Sequence, residues 1–114
     1  MKYDLDLERK KLNENSSLKE LQEYVNKMVE TRGFEDETAQ DIMLLLTEEI
    51  GELAKEVRKT TEIKMDANQT RKTDVSGEIA DILNYTLCMC KVMNIDLFEA
   101  FIEKEERNAK RTWK

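Results

Sequence analysis

Histidine and proline are absent from the 114 residues, and there are only three glycines and two cysteines. Without imidazole there is no Ser-His nucleophile pair, no ordinary zinc site and no Glu-x-x-His di-iron bundle. With so few turn residues a β-rich fold is excluded, because its strands would need many of them to reverse direction. Cys88 and Cys90 stand two apart on a stretch that reads as helix, so they point to different faces. They do not easily chelate one metal or bond to each other, and are expected to be small core residues. No run reaches the ~18 apolar residues of a membrane span and no secretory signal opens the chain, which makes cytoplasm the expected location. Nor is there an excess of positive charge. With 25 acidic against 19 basic residues the net charge is −6, which argues against a general nucleic-acid binder.

What remains is a helical composition, with hydrophobic and charged residues each at 39%. The length suits one domain. Residues 1–15 form a charged extension without a clear apolar face, ordered or frayed, and 16–114 form the domain proper. A capping box at Ser17-Leu18-Lys19-Glu20 opens a first helix whose stripe is Leu18, Leu21, Val25 and Met28, with Gly33 as its stop. A second helix is expected over 36–60, a polar loop over 61–72 and a third helix over 74–93, ended by Asn94. Asp96-Leu97-Phe98-Glu99 opens a fourth that runs to about residue 112. The third helix carries two apolar faces, because Ile79, Leu83, Leu87 and Cys90 add a second stripe. The expectation is an all-α four-helix bundle completed by homodimerisation across that second face. A monomeric bundle with one wider core is the alternative.

Two stretches place charge where a core residue should be. At about 100° per residue, Glu49 lies within roughly 60° of Ile42, Leu45, Leu46 and Leu53, and Glu52 stands beside it. Glu78 lies in line with Ile82, Tyr85, Met89 and Val92, flanked by Asp81. Ionised carboxylates on apolar stripes cost several kcal/mol unless partnered, so the four ask for a cation. Oxygen donors without His or Cys select Mg2+, or Mn2+ in its place. Mg2+ held by few carboxylates completes its shell with water and phosphate oxygens, which implies a phosphate ester or anhydride as substrate. A calcium loop from Asp66 fails, since its sixth position is Arg71 and its twelfth is Gly77.

Glu48-Glu49-Ile50-Gly51-Glu52, followed after 25 residues by Glu78-Ile79-Ala80-Asp81, resembles the paired acidic signature of MazG-like nucleoside triphosphate pyrophosphohydrolases, members of the all-α NTP pyrophosphatase superfamily. The resemblance covers residues 18–113. It implies hydrolysis of an NTP or dNTP to the monophosphate and pyrophosphate, in nucleotide-pool sanitation. It implies Mg2+ at Glu49, Glu52, Glu78 and Asp81, with Glu48 a further ligand or base, and a dimer that sometimes pairs into a tetramer. Tyr85 is expected at the sugar or a phosphate by the same likeness. A phosphoribosyl-ATP, dUTP or dCTP enzyme of that superfamily is a second enzyme reading. A non-catalytic dimerisation or regulatory module with a structural cation is a reading from another class.

Four further features bear on substrate. Leu97, Ala100 and Phe101 start an inward stripe on the fourth helix that continues into Lys104, Asn108 and Arg111. These three are expected to converge on the triphosphate tail, in a Lys…Asn…Arg pattern that many MazG-like sequences share. Phe34 and Trp113 are either base-stacking or packing residues. Asn84 is expected to point away from the acidic stripe, towards a dimer face. Gly51, between the carboxylates, is expected to admit a close neighbour.

Overall fold

The computed structural model describes residues 2–114, and among them the fold is all-helical. The elements are α1 (Leu5–Lys10), α2 (Leu18–Arg32), α3 (Ala39–Arg58), α4 (Val75–Met93) and α5 (Leu97–Ala109). The four expected helices are present, with α1 added inside the charged extension. Asp4 caps it by accepting from the Leu7 N–H at 3.2 Å, and Glu8 pairs with Lys27 of α2 at 3.0 Å. α1 is thus held to α2 by an ion pair, which leaves no periodic signature in a sequence, and by Leu5, which packs on the core cluster. No helix among the described residues is long and apolar enough to cross a membrane.

Capping chemistry sets the boundaries. Ser17 accepts from the Glu20 N–H while the Glu20 carboxylate accepts from the Ser17 N–H, each at 3.1 Å. Gly33 ends α2 at φ 77°, a left-handed conformation that costs glycine nothing. The next helix starts at Thr38 and not at residue 36, because Thr38 and Asp41 form a second reciprocal box. Asp74 caps α4 by accepting from the Gly77 N–H at 3.2 Å, and a side chain at Gly77 would collide with that carboxylate. Asn94 closes α4 at φ 56°, and Asp96 caps α5 from the Glu99 N–H. That last helix stops at Ala109 and not at 112; Trp113 folds back and its indole N–H donates to the Asn108 carbonyl at 3.1 Å.

The α3–α4 pair is the centre of the molecule, with α2 laid across α4. Near the end of α3, Glu56 accepts from the Asp74 N–H at 2.9 Å, whereas Ile42 near its start packs with Leu87 and Cys88. The two helices are therefore antiparallel. Arg71 closes the intervening loop by donating to the carbonyls of Lys59, Thr61 and Ile63. Val25, Met28, Val29, Ile42, Leu87 and Cys88 make the core cluster, and both cysteines are buried and unbonded.

Much apolar surface is left outside that core. In α4, Leu87 and Cys90 of the second stripe are buried, but Ile79 and Leu83 remain 54% and 42% exposed. The inward stripe expected on α5 does not form within the chain. Leu97 is half-buried, but Ala100 and Phe101 face outward, with Phe101 59% exposed. The reason is topological. Beyond Asn94, α5 is held to α2 through Gln22, whose amide donates to the Ile95 carbonyl at 3.0 Å and accepts from the Leu97 N–H at 2.9 Å. Among the described residues α2 is the element that packs substantially against it. The radius of gyration is 17.3 Å, against about 13 Å for a compact chain of this length. The exposed surface is 8867 Å², against about 6,500 Å² for a compact monomer of this mass.

Candidate functional site

Antiparallel packing of α3 on α4 brings the two acidic stretches face to face. One carboxylate oxygen each from Glu49, Glu78 and Asp81 lies within 4.8 Å of the others. Glu49 and Glu78 are half-buried in the seam, while Asp81 stands at its rim. Glu52 is exposed and lies outside this trio, though close enough for its charge to act on Glu78. Glu48 is exposed on α3. Only one acid of each pair therefore shares the buried phase. Glu52 and Asp81, three residues on from their partners, sit about 60° round their helices, which is enough to reach solvent.

The electrostatics follow from crowding. Glu78 is pushed up to about 7, first by its hydrogen bond to Glu49, then by burial and the charges of Glu49, Asp81 and Glu52. Its Oε2 is enclosed and has no hydrogen-bond partner among the described residues. Nor does any lysine or arginine among them pair with Glu49, Glu52, Glu78 or Asp81; the ion pairs lie elsewhere. Three hard oxygens close together, one orphaned and none neutralised, fit a hard divalent cation such as Mg2+ or Mn2+.

A cavity of about 220 Å³ opens beside Glu49 and Asp81. Tyr85 lines it, half-buried, and its hydroxyl is raised by burial and then by the nearby charges of Glu49 and Glu37. Asn84 lines it as well, contrary to the expectation that it faces away. It sits one turn past Asp81 on the side that α2 covers. The remaining wall comes from the end of α2 and the turn after it, through Met28, Arg32, Phe34 and Glu37. Of these only Phe34 stands out in the sequence; Arg32 and Glu37 read as an ordinary last-turn cation and a loop acid.

Lys104, Asn108 and Arg111 are not brought to this cavity within the chain. Lys104 is exposed on α5, the Asn108 amide donates to Glu105 at 3.3 Å, and the Arg111 guanidinium stacks 4.9 Å from the Trp113 ring. Trp113 is 69% exposed, away from the acids. The space where a Gly51 side chain would stand is open, so no neighbouring helix among the described residues approaches closely there, and room for a ligand is left.

A family model described as the MazG nucleotide pyrophosphohydrolase domain matches residues 37–113, which include α3, α4 and α5. No curated protein and no solved structure matches the chain.

Proposed function

The chain belongs to the MazG nucleotide pyrophosphohydrolase domain family, and on that premise we propose that it hydrolyses nucleoside triphosphates, ribo or deoxy, to the monophosphate and pyrophosphate. The observation that carries this reading is the trio of Glu49, Glu78 and Asp81, whose oxygens converge without an ion pair to any lysine or arginine among the described residues.

Glu49, Glu78 and Asp81, with Glu52 at the rim, would hold Mg2+, for which Mn2+ can substitute. When bound, such an ion screens phosphate charge and makes water more acidic. The chain's own groups supply the rest. Glu78, whose proton is held up to about 7 by the crowding around it, would release that proton when a cation enters. Glu48, exposed and outside the trio, is the carboxylate free to accept a proton from the attacking water. Tyr85 presents its hydroxyl, protonated through the neutral range, to the sugar or the first phosphate. Lys104, Asn108 and Arg111 meet the phosphate tail once a second copy covers the open apolar faces of α4 and α5, as a homodimer or a tetramer built from it.

Incubation with Mg2+ and a panel of NTPs and dNTPs tests the proposal. It is expected to yield monophosphate and pyrophosphate in equal amounts, and chelation of the metal is expected to stop the reaction. A panel from which no member is consumed would overturn the assignment.

A further inference from the structure

The cavity beside the carboxylates does not end at Tyr85. A second hollow of about 280 Å³ shares Phe34, Glu37 and Cys88 with it and runs on to Val29, Ile42 and Lys91. The two make a slot on the scale of a small-molecule site, a few hundred Å³. Its near end is acidic, and its far end sets the apolar Val29, Ile42 and Val92 beside Lys91 and Glu35. Phe34 offers a ring 43% exposed, and Cys88 is buried in the wall both hollows share, its thiol raised by burial so that it stays neutral. A flat ring suits the space between Phe34 and Val29, Ile42 and Val92.

Glu37 stands where the two hollows join. It is half-buried, and among the described residues its carboxylate has neither an ion pair nor a hydrogen-bond donor. It lines both hollows, and its charge adds to burial in raising the Tyr85 hydroxyl and the Cys88 thiol. A carboxylate only accepts. Any ring that enters must turn N–H groups towards it or leave it desolvated and unpaired, at a cost in affinity.

We propose that this slot receives the nucleobase of the substrate, and that Glu37 selects bases bearing an amino group over uracil and thymine. Guanine is the best fit, because its N1–H and amino N–H are adjacent and parallel and both can reach one carboxylate. Cytosine and adenine offer one amino N–H beside a ring acceptor. In uracil and thymine the single available N–H lies between two carbonyls, whose lone pairs oppose the carboxylate. Asn84, with one donor and one acceptor, accommodates any of these edges. The selectivity rests on the pyrophosphohydrolase reading for its substrate but not for the slot itself.

The test compares wild type with Glu37→Gln in two measurements. In the first, kcat/KM with Mg2+ is expected to favour GTP and CTP over UTP by about 10-fold or more in the wild type. The amide, which puts a donor where an acceptor stood, is expected to shrink that ratio by about 10-fold. In the second, guanosine and uridine are titrated by ligand-observed NMR in chelator, where no turnover occurs. Wild type is expected to bind guanosine more tightly, and Glu37→Gln to lose the difference. Guanosine preference without turnover of any nucleotide would uphold the slot while removing the hydrolase reading. Turnover with the same GTP-to-UTP ratio in both proteins would overturn the slot and leave the hydrolase. Equal binding of the two nucleosides by wild type would overturn it as well.

Discussion

Glu78 is the residue at which folding and chemistry pull against each other. It keeps its proton up to about pH 7, whereas an unfolded glutamate loses it near 4.5. The stability this favours is fully present below about 4.5 and is lost as pH rises through 7. Glu8 and Glu56 act with the opposite sign, since Lys27 and Lys59 hold them below the ordinary value. A pH profile of the wild type alone therefore mixes the two. The difference between wild type and Glu78→Gln isolates the site. In chelator the variant should melt close to wild type at pH 5 and clearly above it at pH 8, and Mg2+ should raise the melting temperature of wild type only. Thermal denaturation at the two pH values checks this; a difference that did not change with pH would remove the crowded-carboxylate account. The same substitution should lower kcat/KM by about 100-fold or more, the scale of losing a charge-stabilising group.

At the scale of elements, α5 is tied to α2 by the hydrogen bonds of one side chain and by Leu97, which packs on the core cluster with Leu18 and Leu21. The paired bonds of Gln22 to Ile95 and Leu97 are the defined hydrogen bonds between the two helices among the described residues. Gln22→Ala should cost about 1–2 kcal/mol, one to two net hydrogen bonds, and should speed amide exchange in α5 while sparing α3 and α4. Uniform loss of protection over all helices would contradict that. Gln22 also shows where sequence reading stops. Boundaries were legible wherever a local code existed: Ser17 with Glu20, Gly33, Asp74 and Asn94 all mark the ends that they do mark. That Glu49 and Glu78 fall on apolar stripes was legible too, because helical phase alone puts a charge in each; which stripe faces which was not. Long-range polar ties were not. Gln22 to Leu97 spans 75 residues and Lys27 to Glu8 spans 19, and neither leaves a periodic trace. Asn84 was misplaced for the same reason, since its surroundings come from α2. The α5 stripe was read as inward because phase says which residues share a face but not what covers it.

The whole chain exposes more surface than a single compact copy would. Ile79 and Leu83 on α4 and Phe98, Phe101 and Ile102 on α5 are uncovered together with Leu44 on α3, which is 73% exposed. The excess over a compact monomer, on the order of 2,000 Å², is what a stable interface buries. Light scattering behind size exclusion should give at least twice 13.4 kDa at micromolar concentration, and a 13.4 kDa particle would contradict the oligomer. Leu83→Asp should lower the mass, and activity with it, because α5 and its Lys104 and Arg111 would no longer close on a site. Phosphorus NMR of one reaction decides whether the proposed phosphate bond is cleaved and whether the carboxylates are needed for it. With Mg2+ and a nucleoside triphosphate, wild type should show the triphosphate signals replaced by monophosphate and pyrophosphate, and Glu49→Gln, folded by circular dichroism, should leave them standing. Diphosphate and inorganic phosphate as products, or equal turnover by Glu49→Gln, would contradict the account.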